Sequence, residues 1–394
     1  MSRALGLSLL LCDLLACAPT IRTPLKQALP SVTGDNAVAA GPCLGEPARI
    51  DLGGPVVGGA LADLDGNGVK DVALAVAGPG GGAAVFLLHD GQGGLKQSMR
   101  VPIPQTPTAI AADDFNNDGL DDLAIGAADP PALHVLLARG RGEFIAGATP
   151  LRAAPAALWV AKLDGNDSVD LLALDQGGKA VRALLGDGHG EFLAGKRNGL
   201  PTAAQPAALT LVDADRDQIL DLAVLGDSRR EAAITLIRGD GHGSFKRTIQ
   251  RRVVGSGARA LLGAPLAGDE GHDLLALLDS AGAGAGSPVA AVLINNGPRD
   301  YSAVGYFVPG PLADATLADL DLDGDLDLVG AAADGSAVHV VPGDGRGGFG
   351  QAQSRRAAGL GASVVVLDGA RTTVLSFGPG SQQLHAFPVT RCGG

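Results

Sequence analysis

The sequence predicts an all-β protein: a seven-bladed β-propeller of four-stranded blades. A pattern of about 50 residues recurs along the chain. Comparable segments begin at Asp63, Asp114, Lys162, Asp213, Pro265, Asp319 and about Val365. Each repeat alternates short apolar runs with glycine-rich turns, and no helical period is visible. Self-similarity at this length marks a propeller or a solenoid, and four strands in each of seven repeats select the propeller.

The elements of one repeat follow in order. A short apolar strand comes first, as in Ala109-Ile110-Ala111-Ala112. An Asp-rich loop leads to a second strand such as Leu123-Ala124-Ile125-Gly126, and a third follows, such as His134-Val135-Leu136-Leu137. The third strand ends in a glycine turn with an aromatic, Gly140-Arg141-Gly142-Glu143-Phe144. That turn recurs as Gly188-His189-Gly190-Glu191-Phe192, as Gly241-His242-Gly243-Ser244-Phe245 and as Gly345-Arg346-Gly347-Gly348-Phe349. A weaker fourth strand leads to the next repeat. Aromatic residues are only 3% of the chain, so the blades must be filled by Ala, Val and Leu.

The Asp loops carry the chemistry. In Asp63-Leu64-Asp65-Gly66-Asn67-Gly68-Val69-Lys70-Asp71, oxygen-bearing side chains stand at positions one, three, five and nine, with glycine at six. Hard oxygens converging on one point across a sharp turn are the beginning of a calcium loop. Four loops have a full set. They are Asp63, Asp65, Asn67 and Asp71 with the carbonyl of Val69; Asp114, Asn116, Asp118 and Asp122 with Leu120; Asp213, Asp215, Asp217 and Asp221 with Ile219; and Asp319, Asp321, Asp323 and Asp327 with the backbone of Asp325. About four structural Ca²⁺ ions are expected. Position six is Gly68, Gly119 and Gly324 in three loops and Gln218 in the other, which strains that turn. Position twelve is Leu74, Ile125, Val224 or Gly330 and falls within a strand, so these are not EF-hands.

Three repeats are degenerate. Lys162 stands at position one of the third, beside Asp164, Asn166 and Asp170, and its ammonium is expected to replace the ion by pairing with them. The fifth keeps Pro265, Ala267, Asp269 and Asp273, too few ligands. The seventh, Leu367-Asp368-Gly369-Ala370-Arg371, is shortened.

The Asp loop, the apolar strand after it and the Gly-x-Gly-x-Phe turn together resemble the FG-GAP or VCBS repeat, from about residue 45 to residue 392. This is the propeller of integrin α-subunits and of many bacterial surface proteins. The resemblance implies that the calcium loops lie on one face of the disc and brace the turn between two strands.

A propeller must hide its first and last edge strands. Aligning the last repeat with the sixth places His385 on His339 and Cys392 on Arg346. The last repeat then supplies three strands and Ala48-Arg49-Ile50-Asp51 the fourth, with Cys43 and Cys392 flanking the missing turn. A Cys43–Cys392 disulfide is expected, the alternative being two unpaired thiols.

Residues 1–16 resemble a secretory signal peptide ending in a bacterial lipobox, Leu14-Leu15-Ala16-Cys17, with Cys17 as the lipidated residue; Asp13 interrupts the apolar stretch. A plain signal peptide cut elsewhere is the alternative. Residues 17–42, with Pro19, Pro24 and Pro30, read as a tether, and residues 43–394 as the propeller. The expected location is a bacterial outer membrane or cell surface, or otherwise the periplasm or the medium.

A formal net charge of −12 argues against nucleic acid, whose affinity comes from phosphate neutralisation by Lys and Arg. His134, His339 and His385 share one repeat position and His189 and His242 another, so the repeat explains them before catalysis does. No nucleophile elbow, zincin motif or phosphate loop is present. Trp159 stands where other repeats have Ala60, Ala111, Thr210 and Thr316 and is expected to fill space. The expected function is a monomeric, non-enzymatic, lipid-anchored calcium-binding module for adhesion to a protein or surface polymer. The alternatives are a polymer-acting hydrolase or lyase and a structural envelope component.

Overall fold

The computed structural model describes residues 42–140, 143–200, 205–227, 231–268, 272–279, 290–297, 300–306, 310–357, 360–361, 363–367, 372–378 and 381–391. The leader with Cys12 and Cys17, the tether up to residue 41, Arg229 and Arg230, the run Gly282–Gly286, the loop Asp368–Arg371 and Cys392 lie outside them.

The described chain starts with β1 (Pro42–Leu44) and β2 (Ala48–Asp51). Blade 1 is β3 (Val56–Ala62), β4 (Asp71–Gly78), β5 (Gly81–His89) and β6 (Leu95–Ile103). Blade 2 is β7 (Thr106–Asp113), β8 (Asp122–Ala128), β9 (Ala132–Ala138) and β10 (Phe144–Pro150). Blade 3 is β11 (Pro155–Ala161), β12 (Asp170–Asp175), β13 (Ala180–Gly186) and β14 (Phe192–Gly199). Blade 4 is β15 (Gln205–Val212), β16 (Asp221–Asp227), β17 (Ala232–Gly239) and β18 (Phe245–Gly255). Blade 5 is β19 (Ala258–Ala264), β20 (Asp273–Leu278), β21 (Ala290–Gly297) and β22 (Asp300–Tyr306). Blade 6 is β23 (Leu312–Ala318), β24 (Asp327–Ala332), β25 (Ala337–Val341) and β26 (Gln353–Arg356). Blade 7 has β27 (Ser363–Leu367), β28 (Thr373–Phe377) and β29 (Gln383–Arg391).

Each blade is an antiparallel meander. First strands of neighbouring blades pack together, β3 with β7, β7 with β11, β15 with β19, β19 with β23 and β23 with β27, and small residues let them approach. A Cβ on Gly59 would fall 2.7 Å from Phe377 Cζ of blade 7, and one on Gly263 would fall 2.6 Å from Val212 Cγ1 of blade 4. A register shift recurs near the start of these strands, as at Pro107/Ala109, Pro155/Ala157 and Pro206/Ala208. Such bulges add local twist. The second strands, such as β4 and β20, are buried almost throughout. The core lies between blades: Leu64 and Phe86 of blade 1 pack with Ile125 and Leu136 of blade 2. Trp159 is half-buried against the cluster of Leu163, Leu172, Leu174 and Leu209 and fills that space.

The ring closes as the repeat alignment predicts. One edge of β29 pairs with β28, with Ser376 opposite His385. Its other edge takes both N-terminal strands, with Ala48 to Asp51 opposite Ala386 to Gln383 and Cys43 opposite Thr390. Both edges of β29 are therefore covered, which removes a template for aggregation.

Asp314 of β23 accepts a hydrogen bond from the Val364 amide of β27 at 3.4 Å. Burial pushes its carboxyl up to about 6. The folded chain holds this proton more tightly than the unfolded chain. Its contribution to stability is therefore full below about pH 4 and is lost as pH rises through about 6. In Asp314→Asn, the urea midpoint should fall less than that of the parent between about pH 4 and 7. Equal pH slopes in the two proteins would contradict this.

Candidate metal centres

The four complete Asp loops share one backbone frame. At position one, Asp63 Oδ1 accepts the amides of Gly66 and Asn67 at 2.9 and 3.1 Å, and Oδ2 accepts Gly68 at 2.8 Å. Asp114, Asp213 and Asp319 likewise accept the amides four and five residues on, at 2.7–3.1 Å. Position five accepts the amide of position seven: Asn67 from Val69 at 2.7 Å and Asp217 from Ile219 at 2.9 Å. These bonds turn the side chains inward and leave lone pairs facing the loop centre.

Positive φ is required at position four as well as at six. The pairs are Gly66 and Gly68 (78° and 82°), Asn117 and Gly119 (59° and 85°), Arg216 and Gln218 (60° and 66°), and Leu322 and Gly324 (62° and 94°). Glycine at position six shows this in the sequence, but Arg216 and Leu322 give no such signal, because any residue pays a cost there that only the folded loop explains.

Position nine has a second role. Asp71 is fully buried, with Oδ2 accepting the Leu64 amide at 3.0 Å and Oδ1 the His89 amide at 2.8 Å. The same two-ended clasp recurs at Asp122, Asp221 and Asp327. It also recurs in the degenerate repeats. Asp170 accepts Leu163 at 2.7 Å and Gly186 at 2.8 Å, and Asp273 accepts Ala267 at 2.9 Å and Asn295 at 2.7 Å. One carboxylate thus joins the start of the Asp loop to the end of the third strand, whether or not a ligand set is present. Burial raises these acids, Asp71, Asp221 and Asp327 to about 6 and Asp122 to about 7, while the amides pull the other way. In blade 7 this position is Thr373.

The loops also interlock around the ring. The second glycine of the turn donates its amide to the preceding blade's Asp loop: Gly190 to Phe115 O, Gly243 to Leu163 O and Gly347 to Leu266 O, at 2.9–3.0 Å. A Cβ on Gly190 would fall 2.6 Å from Leu137 Cδ2, and one on Gly347 would fall 2.3 Å from Ile294 Cδ1, and the positive φ of both residues, 86° and 79°, favours glycine there. The aromatic that follows also reaches back. Phe144 stacks on Phe86 with centroids 4.8 Å apart, and Phe192 meets Phe115 edge-on at 5.2 Å. Asp loops and glycine turns therefore share one face of the disc.

Three loops bring carboxylate oxygens within 4.8 Å of one another: Asp63, Asp65 and Asp71; Asp213, Asp215 and Asp221; and Asp319, Asp321 and Asp323. In blade 2 Asn116 supplies an amide oxygen at position three instead. A cation fits these loops. Asp321 Oδ1 is buried with no hydrogen-bond partner, a costly state for a carboxylate oxygen without a counter-charge; Asp215 Oδ1 is likewise without a hydrogen-bond partner, though the other oxygen of Asp215 faces Arg238. An ion would be held by positions one, three and five and the backbone of position seven, with position nine contributing a lone pair beyond those its amides use. Leu74, Ile125, Val224 and Gly330 lie in strands, as expected for loops outside the EF-hand class.

Two cations behave differently from the expectation. Lys162 is exposed and, among the described residues, makes no ion pair with Asp164 or Asp170. Asp164 instead accepts the Asn166 side chain at 3.1 Å, and each oxygen of Asp170 accepts one backbone amide. Arg238, which the sequence reading passed over, pairs with Asp215 and Asp217 in the blade-4 loop. Next to the first loop, Asp121 of blade 2 accepts from the Asp63 amide and pairs with Lys70, tying adjacent blades.

Two of the third-strand histidines meet polar side chains. His134 Nε2 meets Gln105 Oε1 at 2.7 Å, and His339 Nδ1 meets Ser354 Oγ at 2.7 Å. His385 is fully buried, while His189 and His242 are exposed in the glycine turns. Burial lowers the basicity of His134, His339 and His385.

Comparison with known proteins agrees with this geometry. Residues 63–125, which span the first two Asp loops, match the FG-GAP-like repeat family model. No curated protein matches the sequence. The structure is similar to a chain of the crystal structure described as BBS1N in complex with ARL6DN, soaked with lead, with a TM-score of 0.56 and 13% identity over 89% of this chain and 98% of that one. At that identity the likeness speaks to fold alone. The matched repeat and the seven-bladed ring together define an FG-GAP-repeat β-propeller, a scaffold of the binding-module kind.

Asp170→Asn tests the clasp where no ligand set surrounds it. The amide keeps one acceptor and turns an N–H toward a backbone N–H, so it should cost about 2–4 kcal/mol of unfolding free energy. The loss should be the same in calcium and in EGTA. A change below about 0.5 kcal/mol would contradict the clasp.

Proposed function

We propose that this chain is an exported, lipid-anchored, calcium-binding propeller that acts as a non-enzymatic binding and adhesion module at the cell surface. The ligand class is a protein or a surface polymer, the working form is a monomer, and the ions are structural. The calcium reading is carried by Asp321 Oδ1, buried without a partner in a loop that gathers three carboxylates within 4.8 Å. Calcium suits such a site because it takes six to eight oxygen ligands in flexible geometry. The binding reading is supported by the closed disc itself, which presents loops on a rigid frame. Export and the Cys17 anchor rest on the leader sequence.

The ions would offset carboxylates crowded onto one face, so removing them should loosen that face. The melting temperature in excess EGTA should fall by at least about 5 °C, with new proteolytic cuts in the Asp loops. An unchanged melt would sink the structural role. Capture from envelope extracts tests the binding role: one partner should be retained specifically with calcium and lost with EGTA. Turnover of a surface polymer by the purified protein would overturn the non-enzymatic reading.

A Cys43–Cys392 disulfide belongs to the same proposal. Cys43 stands opposite Thr390, two residues before Cys392, at the seam of the ring. Non-reducing peptide maps should show the two cysteine peptides joined, and separate peptides would contradict it.

A further inference from the structure

Arg238 is the last residue but one of the third strand of blade 4, immediately before Gly239, whose amide donates to Asp221 at 2.8 Å. The matching residue in the other clasped blades is Leu88, Leu137, Leu185, Ile294 or Pro342. Only blade 4 places a charge there. From that position the guanidinium reaches the loop of its own blade. Nε lies 3.3 Å from Asp215 Oδ2, and Nη2 pairs with Asp217 Oδ2. In the other complete loops, positions three and five make no ion pair among the described residues. Asp213, Asp215 and Asp221 still gather within 4.8 Å, and Asp215 Oδ1 is buried without a partner in a side chain only 10% exposed.

We propose that Arg238 is an internal cation that holds the blade-4 loop in its folded shape and makes it a weak calcium site. The tight calcium complement of the chain is then three, in the loops that begin at Asp63, Asp114 and Asp319. This rests on the calcium reading of those loops. A guanidinium stays charged at any working pH and competes for carboxylate oxygens in a planar fork. An ion entering the remaining oxygens would meet that positive charge within a few ångströms and would have to win Asp217 back from it. The backbone agrees. This loop alone has side-chain-bearing residues at both positions four and six, Arg216 and Gln218, with φ of 60° and 66°. The loop keeps its frame of amide bonds to Asp213 all the same.

Calcium binding to the full chain, by equilibrium dialysis and titration calorimetry, tests this. The parent should bind three ions tightly. Arg238→Gln should bind four, the added ion at least about tenfold tighter than at this loop in the parent, or about 1.4 kcal/mol. Asp213→Asn added to Arg238→Gln should return the count to three. In excess EGTA, Arg238→Gln should melt below the parent, and saturating calcium should restore it. Asp213→Asn in the parent background needs no change at Arg238 and should leave three tight ions. Four tight ions on the parent, or loss of one on Asp213→Asn, overturns the proposal and leaves the calcium reading standing. Three on both the parent and Arg238→Gln also overturns it. No tight ion on the parent overturns the calcium reading itself, and the proposal with it.

Discussion

A buried carboxylate with both oxygens bound by backbone amides holds each of six blades in shape. It sits at the first residue of the second strand, fully enclosed, and ties the first turn of the Asp loop to the end of the third strand. Charged hydrogen bonds of this kind each contribute about 1.5–3 kcal/mol, and leaving a buried acceptor unsatisfied costs as much. The clasp therefore fixes two loops relative to each other on one face. Only then can the glycine turn of the next blade dock against the Asp loop, as Gly190 does on Phe115. Blade geometry and ring geometry thus meet at one side chain per repeat.

The proposed ion binding would be layered on this frame. The first-position Asp of each complete loop is oriented by amides before any cation arrives, so the ligand oxygens are arranged in advance. What differs from loop to loop is how the crowded charge is offset. Lys70 stays outside its loop and pairs with the neighbouring blade through Asp121. Arg238 turns inward and takes ligand oxygens. Loops that look alike as ligand strings are therefore not alike as electrostatic sites.

Much of the architecture was legible in the sequence. Seven repeats, four strands in each and the two-ended closure at β29 follow from period, alternation and alignment, because those signals repeat. In the sequence the position-nine aspartates look like ligands alone. Their persistence in the third and fifth repeats, as Asp170 and Asp273, was a visible hint that they serve the fold too. In the sequence Lys162 looks like the residue that replaces an ion, because it stands in the loop. The residue that enters a loop is Arg238, distant in sequence, which only strand register brings there. The strain at Arg216 and Leu322 was hidden for a similar reason: neither residue type announces a positive φ.

Three loops are proposed to hold calcium as structural ions, while a guanidinium does part of that work in the fourth. Anomalous diffraction from crystals grown with calcium and then with a lanthanide locates every ion directly. The account predicts strong peaks in the loops beginning at Asp63, Asp114 and Asp319, with Arg238 still on Asp215 and Asp217. A strong peak in the Asp213 loop with Arg238 swung away, or no peaks in the other three, would contradict it.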